Sequence, residues 1–196
     1  EATSPRVIER FFREARVTAR LEHPGVVPVY DVEEGAPGYY TMRAIRGATL
    51  AERLREAKDL SARLRLLQSF LTVCQTMAFA HARGVLHRDL KPSNVLVTAT
   101  GRVVILDFGL VAEQHARRSD AARVVGTVEY MAPEQASGLP TSPASDWYSV
   151  GIMLFEALTG RLPFTGNLLE MLSQRIVADA PSVRSLCPDA PADLST

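Results

Sequence analysis

Apolar positions at the start of the chain recur with a helical period and then give way to short β-type runs. Ser4-Pro5 is a helix-start signal, and the pattern after it runs to Leu21 before His23-Pro24-Gly25 stops it. At about 100° per residue, Val7, Phe11, Glu14, Thr18 and Leu21 share one narrow face. A carboxylate therefore falls on an apolar stripe; on the helix alone, a stripe-edge side chain with its head in water accounts for it. Residues 26–32 and 39–45 are β-branched and aromatic and flank Glu33-Glu34-Gly35-Ala36-Pro37-Gly38, which reads as a hairpin. Thr49 is expected to cap a short helix to about Leu54. Ser61 is expected to open a long one to Arg83, ended by Gly84.

Two short strands, residues 95–97 and 102–106, are joined by Thr98-Ala99-Thr100-Gly101 as a second hairpin. In an antiparallel pair, the residue before the first strand and the residue after the second lie at the same end, which makes Asn94 and Asp107 neighbours. Residues 110–125 carry many charges and no periodicity and read as a long loop of the kind that carries function. Helices are expected over about 146–159, ended by Gly160, and about 167–178.

Composition narrows the classes. With 196 residues and 46% hydrophobic side chains the chain can bury a substantial core. Its 22 basic and 22 acidic residues cancel, so no whole-chain field recruits nucleic acid or an anionic membrane, and any phosphate binding must be local. Cys74 and Cys187 lack metal-type spacing, and Cys74 reads as a small buried thiol. The longest apolar stretch, near Val150 to Phe155, is too short to span a bilayer, and a cytoplasmic location with no membrane contact by this segment is expected.

The chemistry concentrates in His87-Arg88-Asp89-Leu90-Lys91-Pro92-Ser93-Asn94, followed after the second hairpin by Asp107-Phe108-Gly109. Asn94 and Asp107 offer hard oxygen ligands suited to a magnesium ion that keeps some of its waters. Two carboxylates could also serve glycoside hydrolysis, but no aromatic sugar platform surrounds them. The two motifs, their hairpin, Gly126-Thr127, Ala132-Pro133-Glu134 and Asp146-Trp147-Tyr148-Ser149-Val150-Gly151 resemble the protein kinase family along essentially the whole chain. The style around His23-Pro24, Asp31 and Met131 to Gln135 is similar to that of bacterial serine/threonine kinases, many of which continue into a membrane helix and a sensor domain.

That resemblance implies an α+β, two-lobed fold with a truncated small lobe (residues 1–45, a helix plus two strands) and a mostly helical large lobe (residues 46–196). It implies ATP and Mg2+ as cofactors, protein substrates bearing serine or threonine, and self-phosphorylation. Asp89 looks like the catalytic base and Lys91 like the residue that reaches the transferred phosphate, with Asn94 and Asp107 as metal ligands. Met42, Arg43, Ala44 and Ile45 resemble the hinge that receives adenine, Met42 guarding the rear of the pocket, and Leu96 resembles its floor. His87 and Phe108 resemble members of a hydrophobic stack, next to Gly109. Arg88 resembles the arginine that holds a phosphorylated loop; Ser119 is the leading phosphosite, and Thr127 resembles the threonine that bonds Asp89 and Lys91. Glu14 would pair with a strand lysine gripping the α- and β-phosphates, yet neither that lysine nor a Gly-rich loop is in this sequence. The isolated chain is accordingly expected to be inactive, and a non-catalytic protein-binding module is the alternative reading; a kinase of small molecules is weaker still. Glu134 has its family partner, an arginine, outside this sequence, and an unpaired buried charge there would cost several kcal/mol; Arg184 is a conceivable substitute.

Overall fold

The computed structural model describes residues 5–35, 38–108 and 128–194. Helix α1 (Pro5–Ala19) leads into an antiparallel pair, β1 (Val29–Glu33) and β2 (Tyr39–Met42). The pairing slips between Val29 and Asp31, which leaves Tyr30 as the extra residue of a bulge. The stripe of α1 agrees with the expected one at Thr18 and Leu21, which are buried, and departs from it earlier, where Phe12 and Ala15 are buried, Glu14 is half-buried and Phe11 is 40% exposed with its ring against Tyr40; the side chain of Val7 lies outside the described residues. Both strands are shorter than the sequence suggests. Val26 is taken from the hairpin by β5 (Val103–Ile105), to which it bridges in parallel while Ile105 N–H donates to Gly25 O at 2.8 Å.

A second sheet orders β3 (Ala48–Thr49), β4 (Val95–Val97) and β5 antiparallel. Thr49 caps α2 (Leu50–Glu56) as expected, in a reciprocal box with Glu52. The long helix expected from Ser61 is two helices, α3 (Leu60–Leu64) and α4 (Leu67–His81), and the cap is Asp59, whose side chain accepts from Ala62 N–H at 2.7 Å. The break is a local tightening: Arg65 and Leu66 keep helical dihedrals while Leu66 N–H donates to Arg63 O at 2.9 Å, and Arg63 lies over Gly160, where a Cβ would come within 2.3 Å of its guanidinium.

The remaining helices are α5 (Pro133–Ala136), α6 (Pro143–Thr159), α7 (Leu168–Val177) and α8 (Val183–Leu186). Ser142 caps α6, which starts at Pro143, three residues earlier than the expected start, and Gly160 closes it in the left-handed conformation at φ 74°. Asn167 and Glu170 form the cap of α7. Among the described residues, the core joins Leu50, Met77, Leu90, Val95, Ile105, Phe108, Met153 and other apolar side chains beneath the β4–β5 pair. No helix among the described residues is long and apolar enough to cross a membrane.

Candidate active site

The loop between α4 and β4 is held mainly by one buried carboxylate. Asp146, in the first turn of α6 and 1% exposed, accepts from His87 N–H at 2.9 Å, Arg88 N–H at 2.7 Å and His81 Nε2 at 2.8 Å. Removing two backbone N–H groups from water is affordable here because an ionised acceptor makes the stronger type of hydrogen bond. Arg88 is thereby fixed at φ 68°, a left-handed conformation that a side chain rarely adopts and that persists only where the surroundings hold it.

His87 adds a second brace. It is fully buried, and burial pushes its imidazole below the ordinary value, against the opposing effects of Asp146, Leu106 O, Asp89 and Asp107. The neutral ring has one donor and one acceptor. Nε2 donates to Leu106 O at 2.8 Å and Nδ1 accepts from Asp89 N–H at 3.3 Å, which ties the loop to the end of β5; the ring also packs on Phe108 at 5.0 Å. His87 and Phe108 thus lie in one buried stack, and the histidine carries polar bonds in addition.

Asp89 Oδ2 meets Lys91 Nζ at 2.9 Å and accepts from Asn94 Nδ2 at 3.3 Å, while the same amide donates to Asp89 O at 2.9 Å. Pro92–Asn94 is a single 3-10 turn that carries Asn94 to the start of β4. Val95 pairs with Ile105 and Leu106 N–H donates to Asn94 O at 2.9 Å, so Asn94 and Asp107 sit at one end of the hairpin. Asp107 has φ 58°, a second non-glycine in the left-handed region. Asp89, Lys91, Asn94 and Asp107 are therefore clustered as the sequence implied.

The oxygen donors there fit magnesium. Among the described residues no group of three or more His, Cys, Asp or Glu side chains could hold a metal by itself, so an ion near Asn94 and Asp107 would complete its shell with phosphate oxygens and water, as magnesium does.

The other predicted residues are more spread. Met42 ends β2 and is 41% exposed; among the described residues β1 is the one strand paired with β2. Arg43 and Ala44 are exposed and Ile45 half-buried in an extended link where Arg43 N–H donates to Pro28 O at 2.9 Å. Leu96, half-buried on the middle strand, faces away from the core reached by Val95 and Val97. Tyr40 is pushed above its ordinary value first by burial and then by the charges of Glu14 and Asp107, so α1 and the end of β5 act on one phenol. Gly109, Ser119 and Thr127 lie outside the described residues. Arg88 Nε is buried with no hydrogen-bond partner among the described residues.

Glu134 is not left as an unpaired buried charge. It is half-buried and Oε1 accepts from Ser145 Oγ at 2.5 Å, while Arg184 is exposed and donates to Pro188 O at 3.4 Å instead. Sequence reasoning gave no role to Asp146, His81, Gln135 or Arg175. Arg175, buried on the inner side of α7, donates to the carbonyls of Val128, Glu129 and Met131, and burial lowers its pKa while Tyr148 and Glu129 oppose this. A charge on the inner side of an otherwise apolar helix was the available signal for Asp146 and Arg175.

The chain belongs to the protein kinase family: a profile of the protein kinase domain matches residues 1–190. It is 37% identical to serine/threonine-protein kinase PknD of Protochlamydia amoebophila over 85% of this chain and 20% of that protein. It is 39% identical to serine/threonine-protein kinase PknA of Mycobacterium tuberculosis over 97% of this chain and 45% of that protein. PknB of the same organism is 37% identical over 85% of this chain and 28% of its own length. The chain thus spans less than half the length of these relatives.

Proposed function

We propose that this chain carries the catalytic and magnesium-binding loops of a serine/threonine protein kinase that transfers the γ-phosphate of ATP to hydroxyls of protein substrates. The observation that carries the reading is the placement of Asn94 and Asp107 at one end of the β4–β5 pair beside the Asp89 loop. Lys91 and Asn94 both engage Oδ2 of Asp89, which orients the carboxylate so that Oδ1 takes the proton of the attacking hydroxyl. The hydroxyl oxygen then bonds to the γ-phosphorus as the bond to ADP breaks, and Lys91 is placed to follow the transferred phosphoryl group. Asn94 and Asp107 would hold magnesium, which when bound neutralises the triphosphate charge. Residues 42–45 would receive adenine through their backbone, with Leu96 beneath it.

The same reading divides the chain into a small-lobe part, residues 1–45, and residues 46–196. It makes Glu14 the partner of an ATP-gripping lysine absent from this sequence. The buried Nε of Arg88, without a partner among the described residues, supports a role in holding a phosphate carried by Ser119, placed there by self-phosphorylation, with Thr127 bonding the Asp89 loop. One sequence fact favours a second reading for the isolated chain, a protein-binding module: it contains neither a Gly-rich loop nor that lysine.

The test is transfer of labelled phosphate from magnesium-ATP to a generic basic protein by this chain, by the full-length gene product, and by that product with Asp89→Asn. Transfer by the full-length protein that falls about 10²- to 10⁴-fold in the variant supports the kinase reading. No transfer by a folded full-length protein would move the assignment to the binding module.

A further inference from the structure

The peptide unit between Arg88 and Asp89 is held at both of its polar groups. Asp89 N–H reaches His87 Nδ1 at a long 3.3 Å, whereas Arg88 C=O accepts from Gln135 Nε2 at 2.8 Å. Gln135 is buried on α5, and its other amide atom, Oε1, accepts from Ala132 N–H at 3.1 Å. One side chain therefore joins the short helix that follows the Arg175-held segment to the loop that carries Asp89. The joint adjoins strained backbone: Arg88 stands at φ 68°, Asp146 holds the peptide plane before its Cα through the Arg88 N–H, and the Arg88–Asp89 plane is the one that follows it. Asp146 holds the N–H of Arg88 but not this plane, so the stronger of its two anchors is Gln135.

We propose that Gln135 is a positioning residue for phosphoryl transfer: it fixes the peptide plane that carries Asp89 and makes the aim of that carboxylate depend on where the segment ending in α5 lies. This rests on the kinase reading above. Displacement of residues 128–135 would withdraw the amide from Arg88 O and free the plane, whereas seating them restores it. Gln135 touches neither substrate nor nucleotide in this scheme; it acts through Asp89.

The experiment compares full-length wild type with Gln135→Met, which keeps the side-chain length and loses both bonds. Phosphate transfer to a basic protein is read per molecule competent to bind magnesium-ADP. Turnover per competent molecule should fall about 10- to 100-fold, with KM for ATP changed by less than about threefold, because misplacement of a reacting group acts on the chemical step. Gln135→Glu keeps the acceptor for Ala132 N–H and sets an oxygen against Arg88 O; it should lose turnover to a similar extent and serves if the methionine variant does not fold. Normal turnover per competent molecule, even with fewer competent molecules, would reduce Gln135 to a structural residue and overturn the inference. Absence of transfer by wild type would instead overturn the kinase reading on which it rests.

Discussion

Residues 5–42 and the helical body around α4 and α6 are built on opposite principles. In the body, several buried polar groups are answered: Asp146 by two backbone N–H groups, Ser149 by Tyr130 O at 2.8 Å, Tyr130 by Glu156 at 2.7 Å. In the first region the aromatic side chains lie largely at the surface; Tyr30 is 66% exposed, and Tyr39 OH donates to Glu33 in water. Its ion pair, Arg16 with Glu34, joins two half-exposed side chains and contributes little. Rigidity at Asp89 therefore comes from the body. In the first region, the charges of Glu14 and Asp107 both act on the half-buried Tyr40 phenol.

The largest effect should come from breaking the body at its polar centre. Asp146→Ala leaves two buried N–H groups without an acceptor and should cost about 3–5 kcal/mol in urea unfolding, with loss of any transfer activity. If that variant unfolds with an unchanged midpoint, the body does not depend on this carboxylate. Next comes the seam between the regions. A Cβ on Gly25 would lie 2.1 Å from Thr76 Oγ1 on α4, so Gly25→Ala should destabilise by about 1–3 kcal/mol, and the added threonine change Thr76→Ala should recover part of it.

A smaller effect sharpens the contrast by pH. Burial raises the Glu156 carboxyl above its ordinary value, with the Tyr130 hydrogen bond acting the other way and the Glu129 charge adding to the rise. A raised folded value means that the contribution to stability is full below 4.5 and is lost as pH rises through the folded value. Glu156→Gln, which still accepts from Tyr130, should thus stabilise the protein at pH 7 relative to wild type, with the advantage shrinking toward pH 4 in urea titrations. The smallest effect belongs to the first region: Tyr30→Ser, at a bulge and mostly in water, should shift stability by less than about 0.5 kcal/mol.

The site was legible where its chemistry is local. Residues 87–94 and 107–109 are contiguous, and the hairpin that brings Asn94 to Asp107 follows from strand pairing alone. Legibility failed where the partner is distant. Asp146 lies 58 residues from Arg88, and no local pattern shows that its first-turn position points at a loop. The break between α3 and α4 has no glycine or proline to announce it; it is a local tightening in which Leu66 N–H donates to Arg63 O. On α1 the expected stripe holds at Thr18 and Leu21 but departs earlier, because Phe11, apolar by type, rests against Tyr40 at an exposed edge while Ala15 is buried.

The fork of Arg175 bears on how this chain can vary. One planar guanidinium reaches three carbonyls of residues 128–131, a geometry that lysine, a single point charge, cannot reproduce. Its neighbours Ile176 and Val177, with Leu169 a turn and a half earlier, face outward. Tolerance along α7 should therefore be sharply uneven, with one position locked to a single residue type and adjacent ones open to drift. In a saturation library that position would accept arginine alone, the buried Met171 apolar residues, and the outward-facing positions most types.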